Sequence, residues 1–443
     1  MKTAPKISFR KINQLAIPAI ISGIAEPLLS ITDTANFGNI QTNPTEALAA
    51  VGIAGSFIAA IVWILAQTRS AISAIIAQYF GAGKLDQILQ LPAQIIAINV
   101  ALSLFIYVTT VFFIENIFEM YNASGLILEQ AVSYYKIRAL GLPFTLFTFS
   151  VFGIFRGMQN TYWHMLISLF CTALNIGLDF VLVFGIEGYI PAMNVEGAAW
   201  ASIIAQAFMT LFALILVLKK TPFSFKLNFP FHPEIKRLLS LSFNLVIRTI
   251  SLNIALYLAK AYATKYGANY IAAQTIAFQI WLFFAFFIDG YSSVGNIMSG
   301  KFLGQKNYAQ IWKLSKQLNK YTLVITLFLG VFCFFLYEPI GKLFSQDPEV
   351  LSLFSSIFWI VILMQPINAL TFVFDGIFKG LAEAVTLRNT LLAATFLGFI
   401  PVILIGDYFD LKLYAIWIAF TVWMILRGGI LLVIFNKRFL PST

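Results

Sequence analysis

Histidine and cysteine are almost missing from this chain, with two of each in 443 residues. His164 and His232 stand alone, and Cys171 and Cys333 both fall in apolar stretches. Neither type offers metal-ligand spacing or a nucleophile beside a base. Metal-assisted hydrolysis and thiol chemistry therefore lack their side chains, and the cysteines read as small core residues. Charge is equally scarce. Asp, Glu, Lys and Arg make up 11% of the chain against 60% hydrophobic residues, whereas a soluble domain carries about 25% charged residues. Mean hydropathy is +0.85. The polar/apolar alternation of a membrane β-barrel is missing too, which leaves an all-α polytopic bundle.

What is present is length in apolar runs. A crossing helix needs about 20 apolar residues, and twelve segments qualify, at roughly 13–39, 47–79, 92–114, 130–155, 162–186, 196–218, 236–264, 268–300, 318–337, 351–378, 388–406 and 412–436. The basic start, Lys2 to Lys11, followed by Ile12 to Ile24, resembles a leader, but the apolar stretch runs on through Pro27 to Phe37 without a small-residue cleavage site. It reads as a retained first helix. The net charge of +10 is an orientation signal. Lys2–Lys11, Lys219–Arg237 and Lys301–Lys320 cluster on one side, and the opposite loops hold only Lys265, Lys342 and Lys412. By the positive-inside rule both termini are cytoplasmic, in a multi-pass protein of the cell (inner) membrane. No nucleic-acid surface is implied. The expected partners are membrane lipid and small organic solutes, with the protein a monomer.

Five carboxylates interrupt the apolar segments: Glu26, Asp33, Asp179, Asp289 and Asp375. Each costs at least about 2.5–3.5 kcal/mol at bilayer depth on insertion scales. A chain that retains five of them is expected to move ions or polar solutes. No cofactor is called for.

The chain is also duplicated. Gly153-Ile154-Phe155-Arg156-Gly157 recurs as Gly376-Ile377-Phe378-Lys379-Gly380, and Pro143 recurs as Pro366, both at an offset of 223. The helix end Phe80-Gly81-Ala82-Gly83-Lys84 answers Phe302-Leu303-Gly304-Gln305-Lys306 at 222. Six helices per repeat give both halves the same orientation, hence a pseudo-twofold axis along the membrane normal. The expected division is an N-terminal lobe at 1–220, a basic, proline-containing cytoplasmic linker at 221–235 and a C-terminal lobe at 236–443. The charges are not duplicated: Asp33 aligns with Leu256, Asp179 with Val402, Asp289 with Ala66 and Asp375 with Phe152. One coupling site in one lobe is therefore expected.

Depth along the helices tests which groups meet. At 1.5 Å per residue, Asp33 lies about 30 Å and Asp179 about 26 Å from the cytoplasmic side, and Ser202 about 9 Å from the outer side. All three fall in the outer half of the first lobe. Asn175 and Asp179, four apart, project from one helix face. Two close carboxylates in low dielectric either share a proton or hold a cation. Asn175 and Ser202 add neutral oxygens that suit sodium as well as a hydrogen-bonded acid. Any metal is thus limited to sodium at Asp33, Asn175 and Asp179. Pro18, Gly23 and Pro27 weaken the backbone below Asp33, so the first helix is the part expected to bend. In the second lobe Arg248 and Asp289 come out at similar depth and are expected to pair, as a structural lock or a substrate gate. Asp375 is placed to pair with Lys379 one turn on. Glu26 either faces the substrate path or binds a base such as Arg69. Tyr257 and Trp281 are candidates for stacking on flat cations.

Ala25-Glu26-Pro27-Leu28-Leu29 with Asp33-Thr34-Ala35 and Gly38 resembles the first helix of the multidrug and toxic compound extrusion (MATE) exporters, DinF-like branch. Leu174-Asn175-Ile176-Gly177-Leu178-Asp179 through Phe184-Gly185 resembles that family's fifth helix, and Gly197-Ala198-Ala199-Trp200-Ala201-Ser202 the start of its sixth. Ala272-Ala273-Gln274 with Phe287-Ile288-Asp289-Gly290, and Phe374-Asp375-Gly376, resemble its eighth and tenth. Leu241 stands where the seventh helix of the family often has the proline matching Pro18. The resemblance implies twelve helices in two lobes, and an antiporter that exports organic compounds against an inward proton or sodium gradient by alternating access. Asp33, Asn175, Asp179 and Ser202 match the family's first-lobe ion-site pattern.

The expected function is thus multidrug efflux of cationic or amphipathic compounds. Its rivals are a dedicated exporter of citrate-like organic anions and, further off, a lipid-linked sugar flippase. An intramembrane enzyme would need a nucleophile or metal set that this sequence does not show.

Overall fold

The computed structural model describes residues 7–38, 44–121, 123–186 and 188–439, with side chains for all of them except 26–38, 44 and 45. The first half runs α1 Phe9–Gly38, α2 Pro44–Leu65, α3 Gln67–Gly81, α4 Leu91–Met120, α5 Gly125–Ala139, α6 Leu142–Gly157, α7 Tyr162–Phe184 and α8 Asn194–Lys220. The second runs α9 Glu234–Tyr266, α10 Ala268–Gly304, α11 Tyr308–Phe335, α12 Tyr337–Phe344, α13 Pro348–Leu363 and α14 Gln365–Gly380. It ends with α15 Ala384–Ala393, α16 Ile400–Tyr408 and α17 Leu413–Phe439. Among the described residues the only β pairing is an isolated bridge between Ile186 and Ile190.

Among the described residues nine helical stretches are long and apolar enough to cross a membrane, and two bent pairs, α5 with α6 (45°) and α13 with α14 (48°), each add one. With α1 these coincide with the twelve expected segments. Both bends fall at the duplicated prolines, since Pro143 and Pro366 sit in the first turns of α6 and α14. A proline there has no N–H to donate and its ring crowds the preceding turn, so the axis breaks. A π-helical stretch, Ala394–Phe399, links α15 to α16 just before Pro401. It presents the Thr395 hydroxyl to Ser251 and to the Trp423 indole N–H, at 3.1 and 3.0 Å. At Leu241, where the family often has proline, α9 runs on without a break.

Packing divides the chain into two compact units. One comprises Ile21–Ile76 and Gly83–Leu239, the other Met1–Ile20, Ala77–Ala82 and Ser240–Thr443. The start of α1 and the end of α3 thus pack with the second half, across the 1–220/236–443 division expected from the duplication. The core of the first unit gathers Tyr135, Phe118 and a run of alanines from α2, α5 and α8. The core of the second is aromatic, built on Trp417, Phe420, Trp423, Phe399 and Phe284.

The repeated glycines make matching close crossings in each unit. A Cβ on Gly153 would meet Arg69 O at 2.8 Å, and one on Gly157 would meet Ser73 O at 3.0 Å. On Gly376 and Gly380 it would strike the carbonyls of Ser292 and Asn296. Residues 69 and 292, like 73 and 296, are again 223 apart. Small residues one turn apart let backbones approach where the bilayer offers no hydrophobic drive. Within the second unit the ends of α3 and α10 also cross reciprocally: a Cβ on Gly81 would meet Lys301 O, and one on Gly304 would meet Gln78 O. Reciprocity of this kind is what a pseudo-twofold produces. It corrects the third landmark, because Gly81 answers Gly304 at 223 rather than 222.

Candidate functional site

In the first unit the site is built on the α7–α8 hairpin. Gly185, at φ 75°, ends α7 in a conformation that side chains resist. The N–H of Met193 then donates to Leu182 O at 2.9 Å. A Cβ on Gly197 would strike that same carbonyl, so α8 returns in contact with α7. Thr172, Asn175 and Asp179 lie on the buried face of α7 at spacings of three and four.

Across the hairpin, Asn175 reaches Ser202 on α8. With its amide nitrogen turned to the carboxylate, Asn175 donates to Asp179 Oδ2 at 2.8 Å, and its oxygen accepts from Ser202 Oγ at 3.1 Å. All three are at most 4% exposed. An acid here is desolvated and oriented by a donor relay, an arrangement able to hold a proton or a small cation. The structure therefore brings together three of the four expected site residues. The side chain of the fourth, Asp33, lies outside the described residues, as does that of Glu26.

The same unit holds a half-open cavity of about 670 Å³, lined by Arg69, Arg138, His164, Phe149, Gln206 and, one turn before Asn175, Thr172 among others. The Arg69 guanidinium lies 5.5 Å from the centre of the Phe149 ring. His164 stacks on Phe152 with ring centroids 3.8 Å apart. Apart from Arg69, named as a base that Glu26 could bind, none of these residues was singled out for function in the sequence. Arg69 and Arg138 are cations inside apolar segments, which was a usable signal, but nothing in the sequence said which way they point.

The second unit holds a different cluster. Arg248 donates to Asp375 Oδ1 from Nη2 at 2.6 Å and from Nε at 3.1 Å. Lys379 Nζ lies 3.1 Å from Oδ2, and Arg427 Nη2 lies 3.8 Å from Oδ1. The expected Asp375–Lys379 contact is present, with two arginines added. The expected Arg248–Asp289 pair is not. Asp289 is exposed on α10 between buried Ile288 and Gly290 and makes no ion pair among the described residues. Its charge is felt at Lys379. Equal depth had suggested the pair, but depth gives height along a helix and says nothing of azimuth. Arg427 was missed; its guanidinium sits 4.6 Å from the Trp423 ring and 5.9 Å from that of Phe372.

Of the aromatic candidates, Trp281 is buried and stacks on Phe278 and Phe420 at 5.4 and 6.4 Å between centroids. Tyr257 is 71% exposed. Neither belongs to the two clusters.

The MatE family profile matches residues 18–181 and 245–404, a stretch in each half. Over 435 residues the chain is 26% identical to DNA damage-inducible protein F of Escherichia coli (strain K12), spanning 97% of this chain and 92% of that one. It is 30% identical over 303 residues to Protein DETOXIFICATION 43 of Arabidopsis thaliana, covering 68% of this chain and 56% of its relative. Solved structures share the fold. A MOP superfamily transporter from Pyrococcus furiosus, described as having a binding pocket of reverse polarity, superimposes with a TM-score of 0.88 at 21% identity. The match covers 98% of this chain and 97% of that one. A MATE crystal structure in the bent conformation gives 0.89 at 21% identity, over 97% and 95%. A profile that fits both halves of the duplication, with a relative aligned along nearly the whole length, places this multi-pass membrane protein in the MATE family of transporters, as a DinF-like member.

Proposed function

We propose that the protein is a secondary antiporter. It exports organic solutes by alternating access while protons or sodium ions enter at Asp33 and Asp179. The observation that supports this reading best is the buried Asn175–Asp179–Ser202 relay, where a carboxylate is held out of water beside neutral donors and acceptors. Gain or loss of one cation there changes a buried charge, and a buried charge biases helix packing. The first helix α1, with Pro18, Gly23 and Pro27 below Asp33, is the element proposed to respond, and the distribution of basic residues supports both termini on the cytoplasmic side of the cell membrane.

The test is uptake into everted vesicles under an imposed proton or sodium gradient, with a cationic dye and an organic acid run in parallel. Gradient-dependent uptake of either solute, lost in Asp179→Asn, is the expected result. Uptake that ignores both gradients would overturn antiport. The cavity cations favour the organic-anion rival over the cationic substrates expected from the resemblance.

A further inference from the structure

We propose that the half-open cavity in the first unit is a binding site for organic anions with an apolar body, in which Arg138 and Arg69 hold the acid group. This deepens the transport reading above and rests on it. Its size falls within the roughly 300–1,000 Å³ of pockets that enclose drug-sized molecules, at about 670 Å³. The described lining contains two arginines and no Asp or Glu. Arg138 makes no ion pair among the described residues, although it projects from a membrane-embedded segment. A half-buried guanidinium at that depth is a strong local source of positive potential.

Two neighbouring polar atoms are also unused. His164 Nδ1 and Gln206 Oε1 are buried and have no hydrogen-bond partner among the described residues. His164 is more than nine-tenths buried, and both residues line the cavity. They supply hydrogen-bonding groups beside the arginines for a carboxyl, hydroxyl or amide on the ligand. Much of the rest of the wall is apolar, from Ile58, Val62, Met209, Phe149 and Phe152, and serine and threonine hydroxyls interrupt it. A planar hydrocarbon body suits that surface, and an arginine fork suits a carboxylate or sulfonate better than any other group.

Fluorescein and rhodamine 6G share a xanthene core but carry opposite charge. Their binding to the purified protein in detergent therefore reads the sign of the site without any gradient. The expected result is tighter binding of fluorescein, weakened on the order of tenfold by Arg138→Gln or Arg69→Gln, with rhodamine 6G unchanged or improved. Preference for rhodamine 6G in the unmodified protein, or fluorescein binding indifferent to both replacements, would overturn the proposal.

Cys171 lines the same cavity and gives a second readout in case a variant misfolds. In the Cys333→Ser background, fluorescein should protect Cys171 of the otherwise unmodified protein from alkylation. Absence of protection at saturating dye would count against the site. Because these measurements need no gradient, intact anion binding alongside uncoupled uptake would sink the antiport reading and leave this one standing.

Discussion

Among the described residues Asp375 is the one carboxylate within 4 Å of Arg248, Lys379 and Arg427, and its shortest contact, 2.6 Å, is to Arg248. One acid thus faces three bases, one of which, Arg427, also lies against the rings of Trp423 and Phe372. Removing the acid and removing a base are therefore unequal operations. Asp375→Leu leaves three cations facing one another, whereas Arg248→Leu leaves Asp375 with two partners. Breaking a buried pair costs about 3–5 kcal/mol, and Asp375→Leu should reach or exceed that range while Arg248→Leu falls below it. Asp289→Leu, at an exposed position without an ion pair, should stay within about 0.5 kcal/mol. Thermal unfolding in detergent ranks the three. Equal losses for Asp375→Leu and Asp289→Leu would show that the cluster is not assembled as described.

Asp179→Asn removes the ionisable group of the relay but keeps a side chain of the same shape beside Asn175 and Ser202. Folding should be largely unaffected, because a neutral amide is cheaper to bury than a carboxylate. Gradient-driven export should fall to the level seen without a gradient. Asp33→Asn should do the same, and the double variant should be little worse than either single one, since both act on one titrating unit. Additive losses in vesicle transport would mean two independent sites.

The glycine crossings give a prediction whose sign depends on position. Gly376→Ala puts a methyl group against the Ser292 carbonyl, and overpacking of this kind costs about 1–3 kcal/mol. Gly153→Ala, its repeat partner, should behave alike. Gly55 in α2 has nothing within 4 Å of a built Cβ, so Gly55→Ala should gain up to about 0.5–1 kcal/mol from helix propensity alone. Melting temperatures that move the same way for all three variants would refute the close crossings.

Most of the fold was legible because it depends on one-dimensional quantities. Apolar length placed the twelve crossings, and the repeat offset picked out Pro143, Pro366 and the paired glycines, although the bends and close crossings they make came only with the structure. The Asn175–Asp179 relay was legible for the same reason, since a four-residue spacing fixes a shared face. Ser202 joined it because the hairpin after Gly185 is short. The rest depended on rotation about helix axes. Arg248 and Asp289 matched in height, yet Asp289 turns outward while Asp375 turns in. Arg69, Arg138 and Arg427 were visible as intramembrane cations, but whether each faced lipid, core or cavity needed the neighbouring helices. The unequal charge of the two halves hides this further, because the duplication that aligns their backbones says nothing about side chains it does not share.

The arrangement around Asp375 also decides what a rescue must contain. Were Arg248 and Asp375 an isolated pair, replacing both by leucine would abolish the desolvation penalty and restore stability. They are not isolated. The double variant Arg248→Leu with Asp375→Leu still buries Arg427, whose side chain is only 2% exposed, and Lys379. Lys379 has 15% exposure and a flexible stem that can carry its charge toward the surface. Arg427 is stacked on Trp423 and has no such route. The double variant should therefore remain nearly as unstable as Asp375→Leu alone, and stability should return only when Arg427→Met is added. Full recovery in the double variant would reduce the cluster to a single pair, with Arg427 satisfied by its aromatic neighbours. Transport by the triple variant then separates two roles. Recovered stability with recovered export marks the cluster as a lock within the second unit, and recovered stability without export places it in the path of the solute.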